Sequence, residues 1–118
     1  MNKEFAQNFA REWVEAWNNH DLDKILSHYA SDFEMSSPII KEIANEPSGK
    51  LKGIDQVYAY WSKALKMNPN LHFEIKIIFI GENSLVLHYK GHRGLSAEFF
   101  NFNENGQVIS ASAHYESE

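Results

Sequence analysis

The spacing of apolar residues changes once along this chain and divides it into a helical part and a strand part. In the first part, aromatic residues recur at four-residue intervals at Phe5, Phe9, Trp13 and Trp17. This spacing puts them in one stripe along a helix. Apolar and polar residues alternate over residues 71–79, as is typical of a β-strand. Helices followed by strands predict an α+β fold rather than alternating α/β units.

The spacing of apolar residues, together with cap and turn signals, predicts three N-terminal helices and a sheet. The helices are expected at residues 3–19, around 22–29 and at 54–65, with a short strand at 33–36 and a loop at 39–52. Four further strands are expected at 71–79, 85–90, 95–102 and 108–115. Short turns join these four strands into an antiparallel meander. A strongly bent antiparallel sheet closed by three helices would be a cone with a central pocket.

Length, charge and cysteine content exclude several classes of protein. A chain of 118 residues suits one domain with one core, so residues 1–118 are predicted to form a single domain. A net charge of −5 argues against a nucleic-acid surface, and the lack of cysteine excludes disulfides and thiolate chemistry. No apolar run reaches membrane-spanning length and no signal peptide is recognised, so a soluble cytoplasmic protein without membrane contact is expected.

Aromatic residues form 14% of the chain, which favours a lined cavity but also suits plain core packing. The residues expected to face inward and contact a ligand are Trp13, Trp17, Tyr29, Met35, Tyr58, Trp61 and Phe100. Such a pocket would bind a small, largely apolar molecule that is cyclic or aromatic. No cofactor is expected. No metal site is expected either, because no pair of histidines at helical spacing has a carboxylate partner.

Several short segments, in their order and spacing, resemble a SnoaL-like domain. They are residues 13–18, 20–23, 29–33 with Pro38, 49–54 with 60–61, 98–102, and 106–115. That family belongs to the nuclear transport factor 2-like superfamily, which also contains ketosteroid isomerase. The resemblance implies a cone-shaped α+β fold with a pocket in its mouth, and a homodimer formed through the sheet. It does not imply one activity, because the superfamily includes isomerases, cyclases, dehydratases and non-catalytic binding domains.

Ketosteroid isomerase uses an aspartate base, together with a tyrosine and a protonated aspartate that stabilise the enolate. In the resemblance, the base position falls at Ser37 and the tyrosine position at Trp13. An unassisted serine hydroxyl is no general base, and an indole cannot shuttle a proton. Only the second carboxyl remains, as Glu98. The chain is therefore not expected to be a standard ketosteroid isomerase, and Ser37 is kept as a ligand contact.

Glu98 and His114 are the candidate catalytic pair, and the turn between their strands decides whether they meet. A two-residue loop at 105–106 pairs Glu98 with Ala113 and sends His114 to the other face of the sheet. A three-residue loop at 104–106 shifts the pairing by one residue and brings His114 onto the face of Glu98. The resemblance places both residues in the cavity, which supports the three-residue loop. If Glu98 faces outward instead, it is a solvated surface residue.

Two functions from different classes remain open at this point. The first is a domain that binds a small apolar molecule, with Glu98 and His114 orienting its polar group. The alternative is an acid/base enzyme, such as an isomerase, cyclase or dehydratase, in which Glu98 or His114 is the base. A third hypothesis is an interaction module with a filled interior that acts through dimerisation.

Overall fold

The computed structural model of the chain describes residues 1–117. Its helices are α1 (Lys3–Asn18), α2 (Leu22–Leu26), α3 (Pro38–Ile43) and α4 (Ile54–Met67). Its strands are β1 (Tyr29–Ser36), β2 (Lys50–Lys52), β3 (Glu74–Gly81), β4 (Ser84–Gly91), β5 (Gly94–Phe102) and β6 (Val108–Tyr115). The predicted α+β class is confirmed, with four described helices where three were expected. No helix in residues 1–117 has both the length and the apolar character needed to span a membrane.

All six strands belong to one sheet, in the order β2-β1-β6-β5-β4-β3. Strands β3 to β6 form the predicted antiparallel meander. The last strand, β6, lies beside β1 and runs parallel to it. The sheet is therefore mixed, and the prediction of a wholly antiparallel sheet was wrong. After three reversals β6 runs antiparallel to β3, and β3 itself runs antiparallel to β1, so β6 and β1 point the same way.

Helix α1 covers the inner face of the sheet with the aromatic stripe that its sequence predicts. Asn2 caps the helix, because its side chain accepts a hydrogen bond of 2.7 Å from the backbone N–H of Phe5. The Phe9 ring meets the rings of Phe100 and Phe102 edge-on at about 5 Å. These contacts fix α1 across the central strands and make the stripe part of the core.

The segment predicted to be a loop contains helix α3 and strand β2. Ser37 caps α3 by accepting a hydrogen bond from the backbone N–H of Ile39, and Pro38 takes the first helical position. Ile39, Ile40 and Ile43 form the buried side of this short helix. The combination of a serine, a proline and this isoleucine spacing is a helix start signal that the sequence reading missed.

Strand β3 changes the face on which its apolar residues lie. A bulge separates Ile75, which pairs with Tyr89, from Ile77, which pairs with His88. Ile75 therefore lies on the inner face, whereas Ile77 and Phe79 lie on the outer face. The alternating pattern had predicted one continuous apolar face. Leu71 and Phe73 come before the strand, which begins at Glu74.

Candidate functional site

A partly enclosed cavity of about 70 Å³ lies between the inner face of the sheet and the helices. Most of its wall is apolar or aromatic and comes from α1, α3, α4, β4 and β6, and the polar residues that contribute are Asn68, His92, Arg93 and Glu98. This volume has room for a few water molecules but is smaller than the roughly 150 Å³ of an engineered cavity that takes benzene. A whole ring would therefore have to extend through the mouth or displace flexible side chains.

The predicted site residues fall into three groups. Five line the cavity, namely Trp13, Trp17, Met35, Trp61 and Glu98. Three are buried but lie outside its wall, namely Tyr29, Ser37 and Phe100. Two are exposed, namely Tyr58 and His114. The cavity thus brings half of the predicted set together.

Tyr58 is 43% exposed and does not line the cavity, so the prediction that it faces inward was wrong. The buried side of α4 consists of Val57, Tyr60 and Trp61, which are spaced as the inward stripe of a helix should be. Tyr60 lines the cavity where Tyr58 was expected. The spacing from Val57 would have found it, because residues three and four positions apart share a helix face.

Glu98 is a buried carboxyl on the inner face of β5, with 5% of its surface exposed. Its strand neighbours are Leu87 and the short side chain of Ala113. Burial raises the pKa of Glu98 from its ordinary value of 4.5 to about 7, and the hydrogen bond from Tyr89 opposes this rise. That bond runs from the Tyr89 hydroxyl to Oε1 over 3.2 Å. Near neutral pH, Glu98 can therefore either donate or accept a proton.

Four tyrosines surround this carboxyl and keep their protons. Burial is the main cause that raises the pKa of Tyr29, Tyr60, Tyr89 and Tyr115, and the charge of Glu98 raises each of them further. Their hydroxyls therefore remain hydrogen-bond donors across the ordinary pH range. This side of the interior offers donors and one titratable carboxyl, and no cation contributes to the pKa shift of Glu98.

Trp17 carries a buried donor whose indole Nε1 has no hydrogen-bond partner among residues 1–117. The neighbouring Trp13 is satisfied, because its Nε1 donates to the Tyr29 hydroxyl over 3.3 Å. A buried N–H without a partner costs about 1–3 kcal/mol, so such groups are rare and call for an explanation. Trp17 lines the cavity, where a bound molecule could accept this hydrogen bond.

His114 lies on the opposite face of the sheet from Glu98, so the predicted catalytic pair does not form. The loop does have the predicted three residues, with Gly106 in the left-handed region at φ 75°. A bulge near the start of β6 then shifts the strand pairing by one residue. Glu98 therefore pairs with Ala113. His114 is exposed, and its Nδ1 lies 3.1 Å from the Ser112 carbonyl oxygen.

The rim of the cavity contains two residues to which the sequence reading gave no role. His92 and Arg93 form the turn between β4 and β5, and both line the mouth. Partial burial lowers the pKa of His92, and the charge of Arg93 lowers it further. In residues 1–117, no three histidine or carboxylate side chains gather closely enough to hold a metal ion.

Comparison with known proteins gives the family and the fold. A SnoaL-like protein of unknown function from Burkholderia thailandensis is 54% identical over 98% of both chains, with a TM-score of 0.94. TerC, co-crystallised with polyporic acid, is 10% identical over 95% of this chain and 92% of its own, with a TM-score of 0.78. A putative polyketide cyclase from Sinorhizobium meliloti is 12% identical over 91% of this chain and 94% of its own, with a TM-score of 0.74.

These last two likenesses concern the fold alone. Among curated proteins, no match to the chain is found. The SnoaL-like domain family matches residues 10–116, which is nearly the whole chain. The protein therefore belongs to the SnoaL-like domain family.

Proposed function

We propose that this protein binds a small, largely apolar molecule, cyclic or aromatic, that carries one hydrogen-bond acceptor. The observation that carries the proposal is the unpartnered indole N–H of Trp17 in the wall of an aromatic cavity that also contains Glu98. An apolar wall with few polar groups is the usual composition of a site for small molecules.

The two polar groups favour an acceptor on the ligand. The Trp17 indole can only donate, and Glu98 donates whenever it is protonated. A carbonyl or hydroxyl oxygen could take either hydrogen bond. A purely apolar molecule would leave the Trp17 N–H buried and unsatisfied, so it should bind more weakly.

The size of the cavity favours a ligand with a single ring. Its volume of about 70 Å³ is below the range of roughly 300–1,000 Å³ of pockets for drug-sized ligands. Met35 lies in the wall, and the unbranched methionine side chain adapts readily to a new shape. A ring could therefore enter when Met35 and the rim residues move.

Acetophenone and cumene test the proposal, because they have the same heavy-atom skeleton and differ in the carbonyl group. We expect calorimetry to show acetophenone binding about tenfold more tightly, which corresponds to one hydrogen bond of about 1.4 kcal/mol. Tryptophan fluorescence provides a second readout, since all three tryptophans of the chain line the cavity.

Trp17→Phe should remove most of the preference for acetophenone, because it removes the N–H and keeps an aromatic ring. Tyr58→Phe is the control, since Tyr58 is exposed on α4. The proposal would be abandoned if no single-ring carbonyl compound binds, or if acetophenone and cumene bind equally well to the unsubstituted protein.

An acid/base enzyme is the second candidate, and the observation that favours it is a pKa near 7 for Glu98. A general acid or base works best when its pKa lies near the working pH. Glu98 would act without His114, which lies on the other face of the sheet. For any substrate that is turned over, Glu98→Gln should abolish turnover while binding persists, because glutamine keeps the size and a hydrogen-bond donor.

We also propose that a second copy of the chain covers the outer face of the sheet. Ile77, Phe79 and Phe99 are exposed there, and Phe79 and Phe99 both flank Val86 in the strand pairing. Exposed apolar side chains in adjoining rows are typical of an interaction surface. The three residues lie on one face of the sheet, which a second copy can cover in a symmetric pairing of two sheets.

Phe79→Lys should convert the dimer to a monomer in analytical ultracentrifugation, because it puts a charge into the proposed interface. Phe79 is 53% exposed, so the change should cost little folding stability in a single chain. Tyr58→Lys is the control, since it changes an exposed aromatic residue on α4. A monomeric wild-type protein, or a Phe79→Lys variant that stays dimeric, would contradict the proposal.

The organisation of the chain as one domain and its cytoplasmic location stay predictions from the sequence.

A further inference from the structure

The mouth of the cavity carries a positively charged side chain that is only weakly paired. Arg93 lies on the turn between β4 and β5 and lines the mouth. Its one ion pair among residues 1–117 is with Glu42, whose Oε2 lies 3.8 Å from the guanidinium nitrogen. Both side chains are well exposed, and such pairs contribute only about 0–1 kcal/mol. The Glu42 carboxylate therefore holds the guanidinium weakly, and an anion that binds it more tightly can replace this contact.

The charge of Arg93 acts on the interior of the cavity. It lowers the pKa of Tyr60 and of Tyr115, although burial raises both of them more strongly. Tyr60 comes from α4 and Tyr115 from β6, and both line the cavity. Arg93 therefore lies close enough to both phenols for its charge to act on them.

Arg93 and Glu98 both line the cavity, Arg93 from the exposed turn before β5 and Glu98 from a buried position within that strand. Glu98 is four residues beyond Gly94, the first residue of β5, which is about 13 Å along an extended strand. The long arginine side chain spans part of this distance. The remaining gap suits a ring with a polar group at each end, and the wall of the cavity also contains Trp17 and Trp61.

We propose that the ligand of this cavity carries an anionic group, which the Arg93 guanidinium binds at the mouth. The ring then lies among the tryptophans, and the acceptor at the other end faces Glu98 and the Trp17 N–H. This inference rests on the proposed function and names the class of ligand, a small cyclic or aromatic carboxylate that also bears a carbonyl or hydroxyl group. A guanidinium suits a carboxylate because its N–H groups can form two parallel hydrogen bonds.

The charges around the cavity agree with this orientation. An anionic group near Glu98 would be repelled by its ionised form, whereas at the mouth it meets Arg93. Glu42 is the acidic group already beside Arg93, and its long ion pair is the contact that a ligand carboxylate would replace. The anionic end of the ligand is therefore directed outward and its neutral end inward.

The test compares para-acetylbenzoate with para-acetylbenzamide, which has nearly the same shape and no charge. Calorimetry at low ionic strength should show the benzoate binding about tenfold more tightly to the wild-type protein. Arg93→Gln should bring the two affinities within about a factor of two, and Arg93→Lys should keep an intermediate preference. Lys90→Gln is the control, because it removes a positive charge from the same hairpin outside the cavity wall.

The outcomes separate this inference from the proposed function. Equal affinities for the benzoate and the benzamide in the wild-type protein overturn the inference and leave the proposed function intact. A preference for the benzoate that survives in Arg93→Gln also overturns the inference. If neither compound binds and acetophenone does not bind either, both proposals fail.

Discussion

Replacing Glu98 by glutamine should remove a pH dependence of about 3 kcal/mol from the free energy of unfolding between pH 4.5 and pH 8. The expectation follows from the pKa of this carboxyl, which burial raises from 4.5 to about 7 in the folded protein.

The direction of the effect depends on which state, folded or unfolded, binds the Glu98 proton more tightly. The folded protein binds the Glu98 proton more strongly than the unfolded chain does. Below pH 4.5 the carboxyl is protonated in both the folded and the unfolded protein. The full contribution of Glu98 to the free energy of unfolding is then present. As the pH rises towards 7, the unfolded chain ionises first, so stability is lost. Above about pH 8 the loss is complete, and Glu98→Gln should then be more stable than the wild-type protein.

Urea denaturation at intervals of pH, for wild type and variant together, measures this difference. The comparison is needed because His28 also contributes to the pH dependence. Burial lowers the pKa of His28, so its contribution to the free energy of unfolding rises with pH up to about 6.5. Subtracting the two curves removes the His28 contribution. Tyr89→Phe is a second variant, since it removes the hydrogen bond that opposes the shift and should extend the loss to higher pH. Parallel curves for wild type and Glu98→Gln would show that this carboxyl is not buried as described.

Helix α1 could be predicted from the sequence because its signals are local. The stripe that includes Phe9, Trp13 and Trp17 predicted both the helix and its buried side. The inward position of Glu98 was predicted too, but only with help from the family resemblance. The stripe on α1 needs no knowledge of distant parts of the chain.

Two bulges explain most of what the sequence could not predict about the sheet. One sits between Ile75 and Ile77 in β3, and the other follows the turn before Ser110 in β6. Each inserts one residue, and a shift of one residue moves every later side chain to the other face. The first exposes Phe79, and the second moves His114 away from Glu98 although the turn itself was predicted correctly. Neither bulge contains a glycine that would have marked it.

The rim of the cavity was missed for a different reason. Arg93 follows Gly91 and His92 in a short turn, and turn residues are normally read as solvated. Its place at the mouth depends on how β4 and β5 meet α4 and β6, which is a tertiary relation. No periodicity within the turn could have indicated this.

Trp13→Ala should destabilise the protein by about 3–5 kcal/mol, as expected for a large aromatic side chain lost from a core. Trp13 is 1% exposed. Its ring meets those of Trp17, Phe73, Tyr89 and Phe100 at centroid distances of 5.2–6.4 Å. Thermal unfolding should show a fall in the midpoint of roughly 4 °C for each kcal/mol lost. Tyr58→Ala, on the exposed side of α4, should change the midpoint little.

Two further measurements distinguish a lost core contact from a general disturbance of the fold. Trp13→Phe keeps a ring and loses the hydrogen bond to the Tyr29 hydroxyl, so it should cost only about 1–2 kcal/mol. Because Trp13 also lines the cavity, Trp13→Ala enlarges it, and added indole should restore part of the stability by binding only the folded protein. A loss below about 1 kcal/mol in Trp13→Ala would mean that the aromatic cluster does not hold α1 on the sheet. A full loss that indole leaves unchanged would mean that the enlarged cavity is not reachable from solvent.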